Sequence, residues 1–273
     1  MKRRNLSLLI FAATIAVLVL FIEGCSSSNS SFPNFRTSAT PVASRIEAEN
    51  KLKNVALNAQ FIVPFKAAST EQTFWCTAFF VDQRGYIAVA KHCFTGTNSG
   101  LETISVFHGG EQKTVRIVGE VQTLDLAVVS VDEPVSVPVA KFANLSKFFE
   151  EKQDYKGSYP VLGGLETNAR FVSVHCASQY YLPTLDRVLV GELAEWDRNT
   201  SKISFIQPQQ NSSGCSGGPI LNSDGEVVGL LSESSENLIF GTDAPSVSEA
   251  VKLLIAKDLM QKKTSVTETH PEN

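Results

Sequence analysis

The hexapeptide Gly214-Cys215-Ser216-Gly217-Gly218-Pro219 sets a serine among glycines. Upstream of it, in order, lie Lys91-His92-Cys93 and Asp125, which directly precedes Leu126-Ala127-Val128-Val129. The chemistry such a set can perform is nucleophilic acyl transfer. A serine hydroxyl is a poor nucleophile, so it needs an imidazole to take its proton and a carboxylate to fix that imidazole's tautomer. The oxyanion formed by the attack needs backbone N–H donors aimed at it, and glycines permit the torsions that turn such donors inward. His92 is therefore the candidate general base, Asp125 the group that orients it and Ser216 the nucleophile. The amides of Gly214 and Ser216 are the candidate oxyanion donors.

Each of these residues has competitors. Among the four histidines, His108 precedes Gly109-Gly110 and reads as a turn residue, His175 alternates within a strand, and His270 lies in the polar tail. Only His92 has the apolar strand before it, the cysteine after it and the sequence position, ahead of the aspartate and the serine, that the triad demands. Asp82 and Asp132 fall at strand ends, where a turn carboxylate is ordinary, whereas Asp125 stands at the rim of an apolar strand. Ser212, Ser213 and Ser223 lack the downstream Gly-Gly-Pro. Cys215 is not at the nucleophile position of the motif. The run Gly214–Gly218 also satisfies the Gly-x-Ser-x-Gly elbow of esterase-type hydrolases, but that fold orders its triad Ser, acid, His, and the sole histidine after Ser216 is His270. An esterase is the lesser alternative; a catalytically silent binding module is another, since fold does not fix function.

The elements that must position these groups read as strands. Short β-branched or aromatic runs recur along the chain: 56–63, 79–81, 86–90, 104–107, 114–118, 126–131, 171–174, 188–190, 203–206, 227–232 and 238–241. Broken by Gly, Asn and Asp, they predict an all-β sandwich or barrel. The stretch from Lys141 to Lys152 reads as a short helix or an irregular link. Ser246, followed three residues later by Glu249 and then Ala250-Val251-Lys252-Leu253-Leu254-Ile255, predicts a capped amphipathic helix.

The segment around Ser216 resembles the Gly-Asx-Ser-Gly-Gly-Pro signature of chymotrypsin/trypsin-like serine peptidases. The stretch from Thr77 to Ile87, Tyr159-Pro160-Val161-Leu162-Gly163-Gly164 and Asp224-Gly225-Glu226-Val227-Val228-Gly229 resemble the bacterial HtrA-type branch. The resemblance covers roughly residues 60–255. It implies two six-stranded β-barrels, at about 52–140 with His92 and Asp125 and at about 155–245 with Ser216, the active site between them and a C-terminal helix closing the fold. It implies peptide-bond hydrolysis of protein or peptide substrates with no metal or cofactor, here without the PDZ module common in that branch. It also implies a Cys76–Cys93 bridge bracing the histidine; Cys176 and Cys215 are left either as a second bridge or as buried free thiols. Where trypsin-type enzymes place an acid to bind Lys or Arg, this chain has Gln210, followed by Asn211, Ser212 and Ser213, a neutral wall that suits small or medium uncharged side chains. Ser232 to Ser234 resembles the strand that pairs with substrate backbone, and Glu233 within it favours a basic neighbour. With Cys215 before the serine, an N-terminal zymogen switch is not expected.

The ends fix the expected compartment. Met1-Lys2-Arg3-Arg4, an apolar run from Leu6 to Ile22 and Gly24-Cys25 read as an export signal over 1–24. Ile22-Glu23-Gly24-Cys25 resembles a bacterial lipobox with Cys25 as the lipidated residue, although Glu23 departs from its pattern; an uncleaved anchor helix is the other reading. Both leave the remainder extracytoplasmic and membrane-attached, because the basic residues stay inside. Residues 25–50 are expected as a Ser-rich tether, 51–260 as the folded unit and 261–273 as a frayed polar tail. A net charge of −4 without a basic cluster argues against nucleic-acid binding.

Overall fold

The computed structural model describes residues 42–69, 72–95, 103–150, 171–176, 188–206, 212–234 and 238–268. The chain begins with helix α1 (Val42–Leu57) and continues through β1 (Ile62–Ala68), β2 (Thr73–Asp82), β3 (Tyr86–Val89), the single turn α2 (His92–Thr95), β4 (Thr103–His108), β5 (Glu111–Thr114), β6 (Arg116–Val121) and β7 (Leu126–Ser130). After α3 (Leu145–Glu150) come β8 (Phe171–His175), β9 (Val188–Asp197), β10 (Lys202–Ile206), β11 (Pro219–Leu221), β12 (Val227–Ser234), β13 (Leu238–Asp243) and α4 (Ala244–Glu268). The predicted chymotrypsin-like all-β architecture is what the chain adopts.

The first half departs from a regular six-stranded barrel. Its hydrogen bonding runs as a seven-stranded sheet in the order β5-β4-β1-β2-β3-β7-β6. The two edge strands are consecutive in sequence, separated by Val115 alone, whose N–H still donates to Ile104 O at 3.0 Å. One bent strand thus leaves its pairing with β4 and takes up pairing with β7. Strand β1 shows why these residues choose this sheet: its burial alternates, with Val63, Phe65 and Ala67 inside, the period of a half-buried strand. Pro64 sits in β1 just before pairing with β4 begins at Phe65, so the N–H it lacks is not missed there. Strands β3 and β7 are buried throughout, as centre strands covered on both faces must be.

The second half is a closed barrel, β10-β13-β12-β11-β8-β9. Phe205, Leu189, Ile203, Ile220 and Val172 fill its interior, while Val188, Val190, Leu221, Val227 and Leu230 turn outward into the core of the first sheet. The connecting chain pairs on the way: Ala143 N–H donates to Val227 O at 2.8 Å and Val227 N–H to Lys141 O at 2.7 Å.

Three expectations are corrected. The tether expected over 25–50 already contains helix α1 from Val42, which runs to Leu57 and so replaces the start of the strand expected at 56–63. The C-terminal helix starts at Ala244 rather than after Ser246, because Asp243 is its cap: Asp243 Oδ1 accepts the Ser246 N–H at 3.0 Å while Oδ2 accepts Trp196 Nε1–H at 2.7 Å. That helix runs on to Glu268, so the tail expected as frayed from residue 261 is helical over most of its length. The helix is locked to the first sheet by Asp258, 7% exposed, which accepts Tyr86 Oη–H at 2.8 Å and both terminal nitrogens of Arg116 at 2.9 and 3.0 Å. Arg116 also grips Asp132, which Lys262 bridges as well.

Candidate active site

Asp125 closes the turn between β6 and β7, where Val121 pairs with Leu126. His92 opens α2, the turn that follows β3. Because β3 and β7 are neighbours, with Val89 opposite Ala127, the two residues meet at one end of the sheet. The Asp125 carboxylate uses both oxygens on His92: Oδ1 accepts its backbone N–H at 2.9 Å and Oδ2 faces its Nδ1 at 2.6 Å. The pair is part-exposed, 46% for the His92 side chain and 27% for that of Asp125. Burial pushes the Asp125 carboxyl up, but the two His92 bonds, aided by Lys91, outweigh it and hold the group below its ordinary value. The carboxylate fixes the ring proton on Nδ1 and leaves Nε2 as the acceptor facing away from Asp125.

Ser216 reaches the same region through its main chain. Thr77 of β2, fully buried, donates its N–H to Ser216 O at 2.9 Å and its Oγ1–H to Gly214 O at 2.6 Å. The Ser216 carbonyl also lies 3.9 Å from Cys93 Sγ, next in sequence to the histidine. Gly217 N–H donates to Leu231 O at 2.8 Å and Leu231 N–H to Gly218 O at 2.9 Å, so the serine loop is stitched to β12 on its other side. Gly214 and Gly217 have φ of 81° and 80°, the left-handed region that glycine adopts freely. A side chain at Gly217 would run into Thr77 O and stand 2.7 Å from Ala90 N. Among the described residues, no protein acceptor takes the Gly214 or Ser216 N–H.

Two disulfides brace these parts. Cys76–Cys93 ties β2 to the histidine turn, and Cys176–Cys215 ties the end of β8 to the residue before Ser216. The second resolves the alternative left open above in favour of a bridge. Cys76, Cys93 and His92 are the one set of three potential metal donors gathered together among the described residues. With both sulfurs in a disulfide, neither offers the thiolate that a metal would take.

A cleft of about 630 Å³ opens beside the pair, lined by His92, Leu124 and Asp125 from the first half and by Lys202, Ser232, Glu233, Phe240 and Thr242 from the second among others. Of the expected substrate-side residues, Ser232 lines the cleft, and its hydroxyl is buried without a hydrogen-bond partner. Ser234 Oγ bonds to Ser212 Oγ at 2.7 Å, and Ser213 is exposed on the serine loop. Gln210, Cys25 and the segment Tyr159–Gly164 lie outside the described residues. His108 ends β4 with its ring edge-on to Phe80, and His175 is buried in β8; neither lines the cleft. Sequence reasoning missed Thr77, Lys202 and Phe240. For Thr77 the available signal was a hydroxyl residue between Cys76 and an apolar run, at a position that becomes wholly buried.

The family model described as trypsin-like peptidase domain matches residues 76–230, more than half of the chain. Among solved structures, the chain is similar to the serine endoprotease from Yersinia pestis, with a TM-score of 0.56 and 19% identity over 76% of this chain and 66% of that one. It therefore spans just under two thirds of that protein. It is also similar to the active form of the Rv3671c protease from M. tuberculosis, with a TM-score of 0.52 and 14% identity over 73% of this chain and 82% of that one. At these identities the likeness is one of fold.

Proposed function

Since the chain belongs to the trypsin-like peptidase family, we propose that it is a serine endopeptidase in which His92, Asp125 and Ser216 form the catalytic triad. The observation that carries this reading is the grip of both Asp125 oxygens on the ring and backbone of His92. In this mechanism His92 Nε2 takes the Ser216 hydroxyl proton as the oxygen attacks the scissile carbonyl. The imidazolium so formed donates from Nδ1 to Asp125 and returns its other proton to the leaving amine. The Gly214 and Ser216 amides stabilise the oxyanion, and a water repeats the sequence to release the acyl group. No step calls for a metal or cofactor. Peptide substrates lie along Ser232–Ser234 and meet the exposed side chains of Ser213 and Ser234, and Gln210 sets a preference for uncharged side chains.

An extracytoplasmic setting accords with two disulfides. The leader at 1–24 and lipidation at Cys25 complete the proposal as the means of export and attachment. No helix among the described residues is long and apolar enough to cross a membrane. The test is casein and peptide-library cleavage by the oxidised full chain beside Ser216→Ala. Cleavage that disappears in the variant supports the triad; cleavage that persists, or its absence from well-folded wild type, overturns it.

A further inference from the structure

The cleft wall built by the second barrel holds a carboxylate beside an aromatic ring. Glu233 of β12 stands opposite Phe240 of β13, and both line the cleft. Directly opposed residues on antiparallel strands project to one face with their Cβ atoms about 5 Å apart. The register shift between Leu231 and Glu233 leaves Ser232 as the extra residue of a bulge, a device that re-aims side chains. It turns Glu233 toward the cleft while Leu231 stays buried. Glu233 is exposed, and its carboxylate has no hydrogen bond or ion pair among the described residues. By contrast, Asp82, Asp125, Asp132, Glu133 and Asp258 are each paired. Phe240 is half-buried and lines the cleft, so part of its side chain is available to a ligand.

Lys202, the cation on the same wall, makes no ion pair with Glu233 among the described residues. It pairs across to Thr242, one strand further on and two residues along β13, which puts their Cα atoms about 12 Å apart at ordinary strand spacings. Its opposite neighbour on β9 is Asp197. Beyond Leu230, where pairing with β11 ends, residues 232–234 pair with β13 alone among the described residues. An extended peptide added along that edge of β12 passes its alternate side chains over Glu233 and Phe240.

We propose that Glu233 and Phe240 form a subsite for a basic side chain, lysine or arginine, of the peptide substrate; this rests on the peptidase reading above. The ring takes the flat face of the cation and the carboxylate takes its charge, a combination suited to a guanidinium or ammonium and to no acidic or small side chain.

The test uses peptides that carry arginine, or its uncharged isostere citrulline, at each position N-terminal to the cleaved bond. Cleavage is read for the full chain and for Glu233→Gln, and binding is read by fluorescence anisotropy on Ser216→Ala with and without Glu233→Gln. At one position the arginine peptide is expected to be preferred about fivefold to twentyfold, falling to about twofold or less with Glu233→Gln, in both readouts. Cleavage lost with Ser216→Ala but indifferent to citrulline leaves the peptidase and overturns the subsite. Discrimination in binding without any cleavage supports the subsite and overturns the peptidase. A preference that survives Glu233→Gln overturns the assignment to this carboxylate.

Discussion

Replacing Thr77 by valine removes one hydroxyl and nearly nothing else, and its consequence follows from two bonds. The N–H donated to Ser216 O survives, while the Oγ1–H donated to Gly214 O at 2.6 Å is lost. That leaves a part-buried carbonyl without a donor, a deficit of about 1–3 kcal/mol. For a domain of this size the melting temperature should fall by roughly 3–8 °C. The carbonyl belongs to the peptide between Gly214 and Cys215, flanked on both sides by the proposed oxyanion amides. Freeing it misplaces donors that act only when held in position, and kcat should fall about tenfold to a hundredfold. KM should move less than about twofold, because the substrate-pairing strand is untouched. Thr77→Ser restores the donor and should restore kcat. Steady-state kinetics with a fluorogenic peptide, run beside a thermal melt, makes the comparison. A valine variant with a lowered melting temperature and undiminished kcat would show that the bond supports the fold alone.

Gly217→Ala should be far more damaging than Gly109→Ala, although both positions have positive φ. At Gly109 nothing lies within 4 Å of the added carbon, so only the torsional cost of about 1–2 kcal/mol applies. At Gly217 the clash with Thr77 O and Ala90 N adds about 1–3 kcal/mol, and paired urea titrations should separate the two. Asp258→Asn should cost about 2 kcal/mol near neutral pH, less than a fully buried pair because Arg116 is part-exposed. Burial raises the Asp258 carboxyl, but bonds from Arg116, Tyr86 and Lys262 outweigh it and hold the group below its ordinary value. Its stabilisation is therefore complete above about pH 4, the unfolded value, and is lost as pH falls through the lower folded one. The difference in melting temperature between wild type and variant should shrink as pH is lowered from about 6 to about 3; a constant difference contradicts the assignment.

That His92 and Asp125 meet and that Cys76 bonds to Cys93 was legible because each is tied to a local pattern: an apolar strand before His92, another after Asp125, and a family motif around Cys76 and Cys93. Thr77 was not, since its two acceptors lie about 140 residues away in sequence, and no local pattern reports a partner that distant. The first part of helix α1, 42–50, was read as tether because it continues a Ser-, Thr- and Pro-rich stretch; the fully buried residues described in the helix, Leu52 and Ala56, lie beyond that part. The start of α4 was misread because Ser246 and Glu249 match a local capping box, while Asp243 is fixed as the cap by its second bond to Trp196 on β9. Tertiary contact decided between two reasonable caps. The bent β5–β6 strand was hidden for the same kind of reason, as a continuous run in sequence does not show where its partner changes.

The lock between Asp258 and the first sheet bears on the order in which the chain becomes a machine. Tyr86 and Arg116 are made early, and the carboxylate that satisfies them follows 172 and 142 residues later. Until then the Tyr86 hydroxyl lacks this acceptor and Arg116 is held by Asp132 alone of its two carboxylates. A chain growing from its N-terminus can assemble His92 and Asp125 long before Ser216 exists, and Ser216 before the last helix has closed. Closure of the first sheet is thus timed by α4, a helix made long after the strands that it fastens.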